Sequence, residues 1–364
     1  MFQPLATIIV AVTALTRPPS AECFLRPLVS ASIHPQSIDR IRRVDNSGRL
    51  HGNIPTKLKR HDESESLQMT SSETSSLWGS PPYIALLTEP DACTSIERVE
   101  ETIRAIDQAT TDGGVNLVVL RVSDSPGDES TLLKFALLKN IAELKRKRNN
   151  FVLVVNDDVD IVLRALSHNI TVDGVHVKEY NSHLIPSVRS KLEHAVTCPF
   201  DSSGNAERKI VIGTSCHSIE SAKTSYQLSL RGPDYLFVGT CYLTQSHPEK
   251  QSTNQLEGPT LPGRVKKELY QIFNCNTDDD DASTNVSSML KSTSTALSKP
   301  PIIFAIGGID EHNCHEPVVS YGADGVATIR TVMQASDPRG VVLSMNRIMQ
   351  STKNDYVNEH GGES

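Results

Sequence analysis

The sequence has no CxxC pair, although it contains seven cysteines. Their odd number and wide spacing argue against a disulfide framework and a zinc ribbon, so we expect free thiols in a reducing compartment. The sequence also offers no long apolar run near its start. The run at residues 5–15 has eleven residues, which is too short to cross a bilayer.

Basic charge is scarce in most of the chain. Residues 1–60 carry nine Lys or Arg against three Asp or Glu, whereas residues 61–364 carry 27 against 40. Because phosphate backbones attract clustered cations, an acidic body argues against nucleic acid as a main partner. The length of 364 residues allows one large domain or two ordinary ones.

The N-terminal segment is typical of a targeting sequence. Residues 1–23 resemble a signal peptide, because the apolar run has the length of its hydrophobic region. Residues 24–80 are basic and rich in Ser and Pro, which is the composition of a transit peptide or a linker. The two together resemble the two-part plastid targeting sequence of algae with secondary plastids. We therefore expect plastid localisation and no membrane segment in the mature form. The alternative is a disordered tail on a cytoplasmic protein.

From Tyr83 onward, short apolar runs alternate with amphipathic stretches, which indicates a parallel α/β fold. The predicted strands are Tyr83–Leu87, Leu117–Arg121, Phe151–Val155, Gly174–Val177, Ile210–Ser215, Tyr235–Val238, Ile302–Ile306 and Gly325–Ile329. The predicted helices are Ser95–Ala109, Ser130–Arg148, Asp158–Ser167, Ile185–Leu192, Ser218–Leu228, Arg264–Phe273, Asp310–Tyr321 and Asp337–Met349. Eight such units predict a single (β/α)8 TIM barrel over residues 81–350, followed by a tail at 351–364. An open doubly wound sheet is the alternative, but no Gly-rich turn follows the first strand.

Residues 274–299 interrupt the alternation. They are acidic and then Ser/Thr-rich, without apolar periodicity. We predict a disordered insertion between the sixth helix and the seventh strand, on the face opposite the site. A calcium loop at Asp278–Asp281 is a weaker interpretation, because the segment lacks the Gly and the final Glu of such a loop.

The functional residues of such barrels lie where the strands end. Gly307 and Gly308 follow the seventh strand, and two glycines let the backbone approach a phosphate closely. An ordinary strand-to-helix turn is the alternative. His217 ends the fifth strand and suits proton transfer, with a helix-capping role as the alternative. His176 is better explained as a satisfied interior histidine, and Cys216 points away from its neighbour His217, as adjacent strand residues do.

Eight segments carry a family resemblance. In chain order they are LVVLR, LVVNDDVDIVLRAL, VDGVHV, IGTSCHSIESA, PDYLFVGTCYLT, LEGPTL, PIIFAIGGI and YGADGVATI. Together they resemble the thiamine phosphate synthase/TenI family, whose members are single barrels, from about Tyr83 to Met349. The synthase joins hydroxymethylpyrimidine diphosphate to hydroxyethylthiazole phosphate and releases pyrophosphate, with Mg²⁺ holding the leaving group. The resemblance thus implies phosphorylated pyrimidine and thiazole partners, Mg²⁺ for a synthase, and a possible homo-oligomer.

The resemblance also implies roles for individual residues. The expected catalytic residues are Arg121, Asn156, Ser215 and His217. The expected substrate-binding residues are Lys178, Thr244, His247, Gly307, Gly308, Ile329 and Arg330, and the expected metal ligand is Asp157. The departures from the family pattern are Val119 for Gln, Ser123 for Lys, Asn181 for a second metal-binding Asp, His247 for Lys and Arg330 for Ser. The lost lysines and carboxylate belong to a reaction that depends on electrostatic stabilisation.

Three functions stay open at this point. The first is a divergent thiamine phosphate synthase, which the surviving VNDD segment favours. The second is a TenI-like thiazole tautomerase, which needs no metal and uses a His as acid and base at the position of His217. The third is a non-catalytic barrel that binds a thiazole or thiamine phosphate.

Overall fold

The structure is a computed structural model that describes residues 78–122, 128–148, 150–197, 209–227, 231–245, 249–250, 252–277 and 299–351. The signal-like segment 1–23, most of the linker 24–80, residues 278–298 of the predicted insertion and the tail from 352 lie outside the described residues, as do Ser123 and His247.

Eight parallel strands close into a barrel in chain order, which confirms the predicted fold. The strands are β1 (Tyr83–Leu87), β2 (Leu117–Leu120), β3 (Val152–Asn156), β4 (Gly174–Val177), β5 (Val211–Cys216), β6 (Tyr235–Val238), β7 (Ile302–Ile306) and β8 (Gly325–Thr328). Each end lies within one residue of its prediction. The runs are almost wholly buried, as expected for strands that are covered on both faces.

Helices surround the barrel. They are α1 (Ile96–Ala109), α2 (Asp128–Arg148), α3 (Val159–Ser167), α4 (Ile185–Thr197), α5 (Ile219–Gln227), α6 (Leu261–Thr277), the short α7 (Arg330–Met333) and α8 (Pro338–Gln350). The side chains of Ser95, Asp158 and Asp337 accept hydrogen bonds from backbone N–H groups in the first turns of α1, α3 and α8. None of the helices in the described part of the chain is long and apolar enough to span a membrane.

The predicted helix Asp310–Tyr321 is wrong. Turns occupy its first half and a single π-helical turn, Glu316–Ser320, its second. The Asp310 carboxylate accepts the N–H groups of His312 and Asn313, and the Asn313 side chain accepts that of Asp310. Such local bonds compete with the helical ones, and Pro317 cannot donate a bond at all.

Two further helical segments differ from expectation. Helix α6 continues through Asn274–Thr277, the first four residues of the predicted insertion. Neither Gly nor Pro occurs between Arg264 and Lys299, so no residue there forces an earlier end. The short α7 was not predicted, because four residues carry no periodicity that a sequence pattern can reveal.

Strand alternation separates two apolar layers. One set of side chains fills the barrel and includes Tyr83, Val119, Tyr235, Phe237 and Phe304. The opposite set faces the helices. Gly213 leaves room for the Tyr235 ring, since a Cβ there would lie 2.0 Å from it. The interior is therefore a packed core, and the site must lie at one of its ends.

A repeated contact joins the strands at the amino-terminal end of the barrel. One residue directly precedes each even-numbered strand, and its side-chain oxygen accepts a hydrogen bond from the strand before it. The donor is the backbone N–H of the second residue of that odd-numbered strand. The four pairs are Asn116 with Ile84 (2.9 Å), Asp173 with Leu153 (2.6 Å), Asp234 with Ile212 (2.9 Å) and Asp324 with Ile303 (2.8 Å). The same four residues donate their own N–H to the carbonyl of that partner and accept from the first residue of the next odd-numbered strand. We call these four residues the amino-terminal ring.

Each acidic member of the amino-terminal ring also pairs with a cation from the helix that directly precedes the odd-numbered strand it bonds. The distances are 3.1 Å for Lys145–Asp173, 2.9 Å for Arg189–Asp234 and 2.6 Å for Lys266–Asp324. No described helix precedes β1, and Asn116 donates instead to the Trp78 carbonyl at 3.1 Å. Carboxylates that are shielded from solvent need such partners, so the residues at this end of the barrel stabilise the fold.

Candidate functional site

The predicted catalytic residues lie at the carboxyl end of the barrel. Asn156 lies two residues after the interior side chain Val154, and Arg121 two after Val119. Because strand side chains alternate between faces, both belong to the interior set. Ser215, near the end of β5, bonds the interior ring of His176. The predicted location is therefore correct, whereas Val119 is wholly buried in the core and offers nothing to a ligand.

His176 is a neutral structural histidine. Its Nδ1 lies 3.1 Å from the Tyr235 hydroxyl and its Nε2 2.9 Å from Ser215 Oγ, while its ring stacks on Phe237 at 4.6 Å. Burial, with a smaller contribution from Arg121, lowers the pKa of His176 to about 3, although Asp157 acts in the opposite direction. A neutral imidazole donates one hydrogen bond and accepts another. A hydroxyl group can do either, so the Tyr235 and Ser215 hydroxyls satisfy both ring nitrogens. His176 therefore orients Ser215.

Asp157, the predicted metal ligand, is already engaged by nitrogen donors. Its Oδ2 lies 3.1 Å from Lys178 Nζ, and Asn181 Nδ2 donates to its Oδ1 at 3.4 Å. The hydrogen bond that Lys178 donates to Asp157 raises the pKa of Lys178. Asp157 has a φ of 52°, and its N–H donates to the His176 carbonyl at 2.8 Å, so the backbone holds it in this strained position.

These donors do not fit a preformed Mg²⁺ site. Mg²⁺ needs free, hard oxygen ligands at about 2.0–2.1 Å, and usually takes one or two carboxylates. Here both carboxylate oxygens of Asp157 face N–H donors, and one donor is a full positive charge. Among the residues that the structure describes, no three His, Cys, Asp or Glu side chains are grouped as metal ligands.

Arg121 and Arg330 interact electrostatically at the same end of the barrel. Burial and the like charge of Arg330 lower the pKa of Arg121. Arg330 Nε lies 4.0 Å from Glu89, a buried carboxylate that also accepts from Gln334 at 2.6 Å and from Arg98 at 2.8 Å. Sequence reasoning missed Glu89, although it lies two residues beyond β1 on the same alternation as Leu87. Two guanidinium groups in this proximity favour an anion between them.

His217 lies between two carboxylates. Its Nδ1 is 3.6 Å from Glu257 and its Nε2 is 3.9 Å from Glu179, which also accepts the His217 N–H at 3.2 Å. The His217 side chain is 39% exposed, so a ligand can reach it. A histidine flanked by two acids and open to solvent can accept and return a proton.

Glu257 also organises the segment after β6, and sequence reasoning missed it. It accepts the Thr240 N–H at 2.6 Å and two bonds from Lys250 Nζ, at 2.7 and 2.8 Å. Burial acts to raise the pKa of Glu257, but the bonds from Lys250 and Thr240 outweigh it and lower the pKa overall. The LEGPTL segment contains Glu257, but nothing in its spacing reveals that it reaches His217, forty residues earlier.

The loops after β7 and β8 contain the residues that are predicted to form a backbone cradle. Gly307 and Gly308 have φ values of 100° and 66°, which only glycine adopts without strain. Ile329 precedes the short α7, whose first N–H groups have no partner within the helix. The loops after strands seven and eight, with the start of a short extra helix, form the usual phosphate site of this fold.

Thr244 lies in the segment that borders this cradle. A Cβ at Gly308 would lie 2.5 Å from the carbonyl oxygen of Leu243, the neighbour of Thr244. Thr244 is partly exposed. Its predicted role in substrate binding stays a prediction, and His247, three residues further, lies outside the described residues.

Cys216 is not a nucleophile. Its side chain belongs to the apolar layer that faces the helices, and burial raises the pKa of its thiol to about 12. A thiol in this environment stays protonated and inert. The described cysteines are all free, as expected, and Cys275 is the exposed one among them.

The fold and the position of these side chains define a (β/α)8-barrel protein with a candidate active site at the carboxyl ends of its strands. A family model described as thiamine monophosphate synthase matches residues 85–260. A thiamine-phosphate synthase of Geobacillus kaustophilus is 27% identical over 242 residues, which cover 66% of this chain and 83% of the relative. One of Methanobrevibacter smithii is 28% identical over 240 residues, covering 66% and 85%.

Among solved structures, a thiamine phosphate pyrophosphorylase from Pyrococcus furiosus matches with 20% identity and a TM-score of 0.45, over 74% of this chain and 95% of that one. The family model and these relatives show that the chain is similar to the thiamine phosphate synthase/TenI family, in agreement with the resemblance that its sequence carries.

Proposed function

We propose that this protein is a thiamine phosphate synthase. The observation that carries the proposal is the set of cationic side chains Arg121, Lys178 and Arg330 at the end of the barrel that also holds the backbone cradle. Lys178 faces Asp157 and Arg330 faces Glu89, so these two cations are held by carboxylates at the end of the barrel where an anion would bind. The thiamine-phosphate synthases among its relatives point to the same activity.

In the proposed reaction the bond between the pyrimidine methylene carbon and the diphosphate oxygen breaks, and the thiazole nitrogen forms the new bond to that carbon. Pyrophosphate leaves with the electron pair of the broken bond. Positive charge close to the departing oxygens stabilises this step, and Arg121 and Arg330 can provide it. The backbone amides around Gly308 and Ile329 would hold the thiazole phosphate. Asn156, on the interior face, would contact both substrates.

The resemblance implies Mg²⁺ for this reaction, and the Asp157 site does not offer a preformed place for it. The positive charge that the transition state needs therefore comes, in this proposal, from side chains of the chain itself. Ser215, held by His176, is a polar group at the same end of the barrel.

The test supplies the full chain with hydroxymethylpyrimidine diphosphate and hydroxyethylthiazole phosphate, with and without Mg²⁺, and measures thiamine phosphate. Product formation that falls by about two orders of magnitude in Arg121→Met supports the proposal, because one lost contact to developing charge costs about 3 kcal/mol. Lys191→Met is the matched control, since Lys191 is exposed on α4, outside the candidate site. Absence of product from the folded wild type would refute it.

A TenI-like thiazole tautomerase is the second candidate, which the placement of His217 between Glu179 and Glu257 favours. A proton shuttle needs such a group and no metal. Metal-independent aromatisation of a thiazole carboxylate phosphate, abolished in His217→Asn, would support it. Binding of thiazole or thiamine phosphate without turnover of either substrate would instead identify a non-catalytic barrel.

We also propose that residues 1–70 direct the protein to a plastid. The basis is the apolar run followed by a basic, Ser- and Pro-containing segment. A fluorescent protein fused behind these residues is expected to enter the plastid of an alga with secondary plastids. A fusion that stays in the cytosol would refute the proposal.

A further inference from the structure

We infer that Lys178 takes the place of a divalent cation at the carboxyl end of the barrel, so that a diphosphate binds to this protein without metal. The inference rests on the proposed function in one respect, namely that the ligand of this end of the barrel is a diphosphate. Within the proposed function, Lys178 would supply the positive charge next to the leaving diphosphate, in place of a metal ion.

The Lys178 ammonium group occupies a fixed position beside Asp157. Lys178 directly follows β4 and Asp157 directly follows the neighbouring β3, so both side chains start at the same end of the barrel. The Nζ–Oδ2 distance of 3.1 Å is that of a hydrogen-bonded ion pair. The contact is anchored on its acidic side, because the Asp157 backbone is bonded to the His176 carbonyl.

The charges around Asp157 also favour an ammonium group over a metal ion at this place. Asp157 and Lys178 together are neutral, and Asn181 adds an amide where a carboxylate would add a negative charge. A divalent cation on this single carboxylate would lie beside an ammonium group and repel it. The residues present thus already balance their charges, and they do so without an added ion.

Lys178 is also accessible to a ligand. Its side chain is 39% exposed, whereas that of Asp157 is 22% exposed, so the lysine is the more accessible member of the pair. Lysine is an established phosphate ligand that acts as a point charge with three donors. Its Nζ lies over the Tyr180 ring, 5.8 Å from the ring centre, which helps to hold it in place.

The test measures binding of inorganic pyrophosphate to the full chain by calorimetry, in EDTA and in excess Mg²⁺. We expect the wild type to bind in EDTA with a Kd within about threefold of that in Mg²⁺. Lys178→Met should weaken binding in EDTA at least about tenfold, which corresponds to one lost charge-assisted bond. Lys191→Met, an exposed lysine of the same length on α4, should leave binding unchanged. Circular dichroism and thermal unfolding establish that each variant is folded.

A second variant makes the inference sharper. Lys178→Met combined with Asn181→Asp removes the ammonium group and provides two carboxylates at the same place. We expect this double variant to bind Mn²⁺ alone, detected by electron paramagnetic resonance, and to bind pyrophosphate only when metal is present. The wild type should bind Mn²⁺ at least about tenfold more weakly, because its carboxylate is paired.

The outcomes separate this inference from the proposed function. Pyrophosphate binding by the wild type only in the presence of metal, or equal binding by Lys178→Met in EDTA, would overturn the inference and leave the synthase proposal intact. Metal-independent binding without thiamine phosphate formation would support the inference and refute the synthase. Absence of pyrophosphate binding under both conditions would overturn the inference, and the turnover assay would then decide the synthase proposal by itself.

Discussion

The buried imidazole of His176 should make the protein sensitive to mild acid. In the folded state its pKa is lowered to about 3, first because burial disfavours the charged form, whereas in the unfolded chain it returns to about 6.5. Between these values the unfolded state binds one proton more than the folded state, so the free energy of unfolding falls as the pH falls. This contribution is fully present above pH 6.5 and is progressively lost towards pH 3.

The magnitude follows from the size of the shift. Each pH unit inside the window removes about 1.4 kcal/mol, so the whole window is worth up to about 5 kcal/mol. At pH 5.0, about 1.5 units into the window, the loss is about 2 kcal/mol. Small domains have about 5–15 kcal/mol of stability in total, so the effect is readily measured.

Urea unfolding of the wild type and of His176→Gln at pH 7.5 and 5.0 is the appropriate assay. Glutamine can still bond Ser215 and Tyr235 but does not titrate, so the variant should lose about 2 kcal/mol less than the wild type between the two pH values. His194→Gln, an exposed histidine on α4, should behave as the wild type. Equal losses in the wild type and His176→Gln would refute the assignment of a neutral His176.

Three further predictions concern other parts of the barrel. Gly308→Ala should lower the thermal midpoint and weaken binding of inorganic phosphate, because its φ of 66° costs an alanine about 1–2 kcal/mol and the added Cβ overlaps Tyr242 and Leu243, which follow β6; an unchanged midpoint would contradict this. Asp234→Ala should cost about 3 kcal/mol in urea unfolding, because it leaves the Arg189 guanidinium buried without its carboxylate; a cost below about 1 kcal/mol would contradict it. Iodoacetamide followed by peptide mass spectrometry should label Cys275 in the folded protein and Cys216 only after denaturation, since the first is exposed and the second is buried with a raised pKa; labelling of Cys216 in the native state would count against the assignment.

The barrel could be predicted because the sequence patterns that indicate its strands and helices lie within each element. Strand runs such as Val152–Asn156 are apolar throughout, and the helices between them have periodic apolar positions and capping residues. Alternation within a strand then places Arg121 and Asn156 on the interior side without any knowledge of distant contacts. The same local logic failed at residues 310–321, where side-chain bonds and a proline compete with the helix.

The partnerships within the site could not be predicted, because they join residues that are distant in sequence. Glu89 bonds Gln334 across 245 positions, and His217 faces Glu257 from another loop. The Asp157–Lys178 pair joins the ends of two strands, and sequence reasoning assigned one member to a metal and the other to a substrate. A single sequence reveals which residues are present at an end of the barrel, but which of them pair depends on the closed geometry.

The amino-terminal ring predicts that the barrel tolerates circular permutation. Its fourth member, Asp324, accepts the Tyr83 N–H, so the last and first strands are joined by the same bond that joins the inner pairs. In this backbone bond the junction between β8 and β1 is equivalent to the other three, and a chain whose ends are linked and that is reopened between α4 and β5 should retain all four of these junctions. Each half of the barrel alone, by contrast, would lose two of the four carbonyl bonds between neighbouring units. The stability of the barrel should therefore depend more on closure of the circle of strands than on where the chain is covalently continuous.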